Sequence, residues 1–484
     1  MLELFNKYLK QLEKRKFKGS KRLYREASRG KQILRFLSGF ESTHIFGSGT
    51  DVLELTRHTE FVEEDLKLAR RCGLDLLRYS APWHSIERAP GVYDWRWLDK
   101  ALNCMRDLGI APILDPLHHT SFPAWLEGGF ANPNFVDAYL RFCTALAKRY
   151  PWVRHYTVIN EPFVTTWFCG HEGIWHPHYT GAGNFVPMIL NVVEAINAVS
   201  RMLIEKLPDV CLIHVDAAEK HRAHDPVSEP HAAFHNEIRF LVQDFVLGKV
   251  DESHALYDYL RRHGASEERL AQIHEKPARI DILGLDYYSH CELEWSAEGR
   301  IYPNRTPEGL IPTALEYAER YNLPLMLTET NIRGYVSDRI SWLKFMVEQC
   351  EEIERQLKPR GLAFEGFCWY PFIDSTDWCS LVKEANGCVD PQGIFYLDKD
   401  CRKRNASELS EIFAALAHGQ ISSKDIPAYR FQPPLDRQLE AFLPMMAHWQ
   451  WREPVSHDAR SQAKRLLNRL ERKAKRVLVK EAAA

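Results

Sequence analysis

Eight short apolar runs alternate with segments of helical periodicity along this 484-residue chain. They lie at 44–48, 74–79, 111–116, 155–160, 210–215, 281–287, 324–329 and 364–370. An apolar run of this length, bounded by polar residues, reads as a buried strand. Ile282-Leu283-Gly284-Leu285 is near-continuously apolar, as a parallel strand covered on both faces must be. Between the runs, Tyr139, Phe142, Cys143, Leu146, Ala147 and Tyr150 recur at the spacing of one buried helical face. Asn132-Pro133 precedes them, as an N-cap followed by a first-turn proline. Trp342, Phe345, Met346, Cys350, Ile353 and Leu357 repeat the pattern. Eight strands alternating with helices predict an α/β fold, a (β/α)8 TIM barrel with extra N- and C-terminal helical segments. An open doubly wound sheet is the rival. No Gly-rich turn follows the first run, which weakens the dinucleotide-binding form of that rival.

This alternation places the barrel at 41–420, an N-terminal extension at 1–40 and a C-terminal extension at 421–484. Within the barrel, 217–280 is long enough for added helices or a lid, and 379–400 for an extended loop at the mouth. Charge follows the same division. Residues 1–40 carry +9, residues 458–484 carry +6, and the body between them carries −17. Ala459 to Lys480 reads as a basic amphipathic helix. It could make weak peripheral contact with an anionic membrane surface or dock on the acidic body, and the second reading is preferred. An acidic body without a nucleic-acid motif argues against nucleic-acid binding. Eleven scattered cysteines without a CxxC pair read as reduced thiols of a cytoplasmic protein. The N-terminus has no apolar h-region, so no secretory signal is expected. No uncharged apolar stretch approaches the ~18 residues of a membrane-spanning helix. The sequence itself sets no oligomeric state.

Two of the runs end in a glutamate: His155-Tyr156-Thr157-Val158-Ile159-Asn160-Glu161-Pro162 and Leu325-Met326-Leu327-Thr328-Glu329. In a barrel, the C-terminal ends of the strands line one mouth. Glu161 at the end of strand four and Glu329 at the end of strand seven face each other there. Two carboxylates across one cleft are what glycosidic cleavage needs: one protonates the leaving oxygen, the other attacks or stabilises the sugar cation. The acid needs a raised pKa and the nucleophile must stay ionised, which Arg78 beside Glu329 would favour. The lesser alternative for Arg78 is a structural ion-pair partner under the barrel rim.

The stretch His155 to Phe163, with its Asn160-Glu161-Pro162, resembles the acid/base motif of glycoside hydrolase family 1 and its clan A barrel relatives. Leu327-Thr328-Glu329 resembles the nucleophile motif. Five more landmarks fall in the family's order. Phe46-Gly47-Ser48-Gly49-Thr50 is similar to the first-strand motif, and Leu77 to Trp83 to the second, whose Arg supports the nucleophile. Leu117 to Pro123 is similar to the third, whose His contacts the sugar, and Leu283 to Tyr288 to the sixth. Gly366 to Trp378 is similar to the eighth. The resemblance covers roughly 40–415. It implies a retaining β-glycosidase without cofactor or metal, acting on a carbohydrate substrate, with Glu161 as acid/base and Glu329 as nucleophile. Arg78 and Tyr288 would tune the nucleophile. His119, Asn160, Tyr370, Asp377 and Trp378 would hold the sugar.

This chain also departs from the family pattern. Glu54 stands near a family Gln, Thr120 replaces the Trp after the sugar-contacting His, and Asp286 replaces an Asn. Tyr370 takes the place of a Trp, with Trp369 one place earlier. The acid that grips sugar hydroxyls is shortened to Asp377, and Glu329-Thr330-Asn331 replaces Glu-Asn-Gly. The chemistry is kept while the sugar grip is altered. That leaves two alternatives: a catalytically inactive carbohydrate-binding or interaction protein on the same barrel, or a transglycosidase. His171, His176, His178 and Glu172 cluster after strand four, but their spacing does not suit one helical face of a zinc site. The expected role for that loop is to line the cleft, with Trp167 and Trp175 as stacking candidates.

Overall fold

The computed structural model describes residues 34–297, 301–304 and 308–427. Eight parallel strands close into a barrel: β1 Phe36–Gly39, β2 Leu76–Ser80, β3 Ala111–Asp115, β4 His155–Tyr156, β5 Cys211–Ala217, β6 Ile282–Asp286, β7 Leu325–Glu329 and β8 Phe364–Trp369. Each strand pairs with its sequence neighbours, and β1 closes the ring against β8 and β2. Leu37, Leu76, Ile113, Ile213, Val215, Ile282 and Met326 fill the interior as one apolar cluster. The outward-facing side chains pack against a ring of helices. The (β/α)8 expectation therefore holds.

Seven of the eight strands overlap the predicted runs, and the first does not. Residues 44–48 leave only a two-residue pairing, His44–Ile45 against Thr50–Asp51, in the loop after β1. The first barrel strand is Phe36–Gly39, inside the segment assigned to the N-terminal extension. Leu37 points into the barrel. Ser38 donates its hydroxyl to the Trp369 carbonyl at 2.5 Å, replacing hydration lost by burial. Gly39 has to be glycine, because a Cβ there would lie 2.8 Å from the Arg78 carbonyl and from the Tyr370 ring. The Phe46–Thr50 motif is thus not a first-strand motif.

The predicted helices appear at Phe135–Arg149 and Val336–Leu357. The 217–280 stretch holds four short helices and a strand, Lys220–Ala223. That strand joins Glu292–Trp295 and Ile301–Pro303 in a small sheet outside the barrel. The segments 1–33 and 428–484, including the stretch Ala459–Lys480 expected from the sequence to form a basic helix, lie outside the described residues. None of the eleven cysteines forms a disulfide. One described helix, Ala182–Lys206, is long and apolar enough by composition to cross a membrane, although Glu194 and Arg201 interrupt it, so no uncharged stretch of spanning length is present in it. Its Val, Ile and Leu side chains are buried in the protein core, where it packs on Phe135–Arg149.

Candidate active site

Glu161 and Glu329 line one open cavity at the C-terminal mouth of the barrel, about 910 Å³ when the adjoining solvent space is counted. Strand β7 delivers Glu329 as its last residue. Glu161 follows β4: Asn160 bridges His118 and Val215 on the neighbouring strands' extensions, and the Glu161 amide donates to the Val215 carbonyl at 3.1 Å. Glu161 then takes a left-handed conformation (φ 41°) and caps the helix Pro162–Thr166. A non-glycine residue in that region is strained, and such strain collects at functional sites. His119 (φ 50°) and Asp377 (φ 60°) share it.

The two carboxylates meet different surroundings. Glu329 accepts from Arg78 Nη1 at one oxygen and from the Tyr288 hydroxyl, at 2.6 Å, at the other. Charge-assisted bonds to both oxygens are what an ionised carboxylate uses. Arg78 is buried and also donates to Asn160 Oδ1, while the Tyr370 ring lies 5.4 Å from its guanidinium carbon. Glu161 receives no such support. Burial first, then the charges of Asp286, Glu329 and Asp216, hold its carboxyl well above the usual range, against a smaller opposing effect of Arg78. His119 Nε2 stands 3.8 Å from it. Burial, then the charge of His118, holds the His119 ring well below its usual pKa, so it is neutral. Its Nδ1 pairs with Thr165 Oγ1 at 2.8 Å.

Beneath the sugar-facing groups lies a buried ionic triad that the sequence reading missed. His118 Nδ1 meets Asp115 at 2.7 Å, and its Nε2 lies 3.5 Å from Glu41 Oε1. Burial opposes the imidazolium, yet the two carboxylates push the ring up to about 10. Burial likewise opposes the Glu41 carboxylate, but His118 and Thr43 bring it down to about 2. The consequences for stability have opposite signs. Glu41 contributes fully above its unfolded value of 4.5 and loses that contribution as pH falls toward 2. His118 contributes fully below its unfolded value of 6.5 and loses it as pH rises through 10. Both are complete between 4.5 and 6.5. His118→Leu would remove the cation shared by two buried carboxylates, so urea unfolding should show a loss of about 3 kcal/mol at pH 6, softened by the Ser42 and Thr43 donors that Glu41 keeps and by Arg78 near Asp115.

A charged His118 also decides the role of Asn160. The amide nitrogen of Asn160 sits 3.5 Å from His118 Nε2, but both are donors, so this contact is no hydrogen bond. Asn160 itself is fully buried and does not line the cavity, so its amide lies one layer behind the cavity wall.

Tyr370 and Trp378 line the cavity, as expected from the sequence. The Tyr370 hydroxyl donates to the Phe40 carbonyl at 2.9 Å, so it offers the cavity a ring face. The buried indole N–H of Trp378 has no hydrogen-bond partner among the described residues. Trp369 faces away and donates to the Gln392 carbonyl.

Asp377 is a correction. Its carboxylate accepts the backbone N–H groups of Gly387 and Cys388, both at 3.0 Å, and it does not line the cavity. It pins the mouth loop rather than gripping a sugar. Glu54 is exposed, and the acid that the first loop brings to the cavity is Glu41. Trp175 is packed, donating to the Leu381 carbonyl, and is no stacking platform. His171 stacks on Trp167 and pairs with Glu172. Among the described residues, the metal-like grouping of Glu237, Asp244 and His254 is already occupied by the Arg320 guanidinium, which donates to both acids.

A closed parallel barrel with paired carboxylates at its C-terminal mouth is the framework of a barrel glycoside hydrolase. The sequence profile of Glycosyl hydrolase family 1 matches residues 48–313. The chain belongs to that family and is a glycoside hydrolase. It is 24% identical over 430 residues to a wheat (Triticum aestivum) benzoxazinyl glucoside β-D-glucosidase, 1a, covering 73% of this chain and 72% of the relative. It is 21% identical over 433 residues to a 6-phospho-β-galactosidase of Clostridium acetobutylicum, covering 74% of this chain and 86% of the relative. The family 1 β-glucosidase structure from Thermotoga maritima superposes with TM-score 0.66 at 17% identity, covering 80% of this chain and 98% of that one.

Proposed function

We propose that this chain hydrolyses a β-glycoside by double displacement with retained configuration, using Glu161 as acid/base and Glu329 as nucleophile. The observation that carries the reading is the unequal treatment of two carboxylates in one cavity. Glu329 has donors at both oxygens, while Glu161 is buried beside other acids and has no cationic partner of its own. Environments that push two carboxyl groups apart assign the acid and the base.

In the first step Glu329 attacks the anomeric carbon while Glu161 gives its proton to the glycosidic oxygen. The alcohol leaves, and the sugar stays esterified to Glu329. In the second step Glu161, now ionised, removes a proton from water, whose oxygen displaces Glu329 from the sugar. Asn160 would brace Arg78 from behind the cavity wall. Neutral His119, Glu41 and the Trp378 indole N–H would hold the sugar hydroxyls, with Tyr370 beneath the ring. Glu41 thereby takes the gripping role that Asp377 lacks. Eleven cysteines without a disulfide support a reducing, cytoplasmic setting. β-Glucosides are the first substrates to try, because the wheat and Thermotoga relatives are named as β-glucosidases.

Product stereochemistry tests the proposal. Proton NMR of aryl β-glucoside hydrolysis should show the β-anomer first, with the α-anomer appearing only by mutarotation. First appearance of the α-anomer would mean a direct attack by water and would remove Glu329 as nucleophile.

A further inference from the structure

Glu161 occupies the N-cap position of the helix Pro162–Thr166, yet its side chain caps nothing. An oxygen-bearing side chain at that position ordinarily accepts from the second or third N–H of its helix, and a carboxylate so bonded is held ionised. Pro162 has no N–H, so the first amide in need of an acceptor is that of Phe163. Asp216, near the end of β5, takes it: the Phe163 N–H donates to Asp216 Oδ2 at 2.9 Å. The Val164 N–H, next along, also favours the ionised Asp216.

From this exchange of partners, and on the hydrolytic reading above, we infer that Asp216 is a positioning residue for Glu161: it takes the backbone N–H groups that would otherwise draw Glu161 back onto its own helix, and so leaves the acid's carboxyl in the cavity without a donor. Two successive residues of β5 act from both sides. The Val215 carbonyl accepts the Glu161 N–H at 3.1 Å, and the Asp216 carboxylate holds the residue two places later. The main chain on either side of Glu161 is thereby tied to one strand, which over-determines its left-handed backbone (φ 41°). Asp216 Oδ1 accepts from the Ala217 N–H at 3.1 Å, which fixes the orientation of the carboxylate. Asp216 is 2% exposed and does not line the cavity, so it acts on a substrate only through Glu161.

The charged neighbours leave this role to Asp216. Arg78 of β2 faces Glu161 but is committed to Glu329 and Asn160, and His119 is neutral. Asp286 of β6 and Glu329 of β7 face it as acids, while burial keeps Tyr288 and Cys291 un-ionised. Glu219 and Tyr317 face Asp216 itself. Among the described residues, Asp216 is the one side-chain acceptor for the Phe163 N–H. Burial pushes Asp216 up to about 7, against its backbone donors. It therefore ionises in the range where an ordinary carboxyl has already lost its proton. Its ionisation tightens the hold on Phe163 and adds a negative charge facing Glu161, and both effects keep the proton on Glu161.

Two variants of the full chain test the inference. Asp216→Ala removes the acceptor; Asp216→Asn keeps one oxygen for Phe163, which guards the fold, and loses the charge. The first readout needs no turnover. With glutamate labelled by carbon-13 at the side-chain carboxyl, the Glu161 resonance is assigned by its loss in Glu161→Gln. It should titrate lower by about one pH unit or more in Asp216→Ala, where the freed Phe163 N–H favours its ionised form, and lower by a smaller step in Asp216→Asn. The second readout is a leaving-group split. On an alkyl β-glucoside, which needs the proton, kcat/KM of Asp216→Ala should fall about 10²-fold, and on 2,4-dinitrophenyl β-glucoside by less than about threefold. Asp216→Asn should recover most of the loss. A Glu161 titration that stays in place in both variants, or equal losses on the two substrates, would overturn the inference. Should melting show Asp216→Ala unfolded, an unmoved titration in Asp216→Asn overturns it alone. A parent chain that turns over neither substrate counts against the hydrolytic reading, while the titration still reads this one.

Discussion

Glu329→Ala is expected to lower kcat/KM on an aryl β-glucoside by about 10⁴-fold or more. Removing a covalent nucleophile leaves only binding and electrostatic contributions to the rate. The fold should survive. Glu329 sits at the end of β7, and its donors, Arg78 and Tyr288, keep other contacts. Arg78 still meets Asn160 and the Thr328 carbonyl, and Tyr288 still stacks on His290. The truncated side chain leaves room for a small anion beside Arg78, so azide should restore turnover. Comparing circular dichroism and melting of the variant with the parent separates lost chemistry from lost structure.

Glu161→Ala should behave differently, because the deleted group moves a proton rather than forming a bond to carbon. A poor leaving group, such as an alkoxide, needs that proton, and its glycosides should lose about 10²–10⁴-fold in kcat/KM. A 2,4-dinitrophenyl glycoside needs little protonation, and its first step should fall far less. The pH profile supplies the sign. Glu161 is active as an acid while protonated, and burial with its acidic neighbours raises its pKa well above the ordinary range. Activity of the parent should therefore persist above the pH where an ordinary carboxyl has ionised, and decline as pH rises through that raised value. In Glu161→Ala, measured with the dinitrophenyl substrate, this descending limb should vanish. A limb that stays in place would assign the titration to another group, such as Asp286 or Asp216, whose charges also act on Glu161.

How much of this was legible in the sequence depends on the range of the interaction. Seven strands and the delivery of Glu161 and Glu329 to one mouth follow from local patterns, since an apolar run that ends in a carboxylate carries its own structural meaning. The first strand was hidden because Phe36–Gly39 is short, is interrupted by Ser38 and adjoins a strongly basic segment. Its place is set by Gly39 fitting against Arg78 and Tyr370, which no local pattern reports. Glu41 was missed for a similar reason. Its partner His118 lies far along the chain, and only folding brings the two together. Asp377 misled because its residue type fits a sugar-gripping acid, while its left-handed backbone turns the carboxylate onto the N–H groups of Gly387 and Cys388.

The central claim is that Glu161 and Glu329 lie on opposite faces of one anomeric carbon. Azide rescue of the two alanine variants, with NMR assignment of the glycosyl azide each forms, tests this most directly. The account predicts the α-azide from Glu329→Ala, where azide enters the space left by the nucleophile, and the β-azide from Glu161→Ala, where it attacks the glycosyl-enzyme from the acid's side. The same anomer from both variants, or full activity in either without azide, would contradict it.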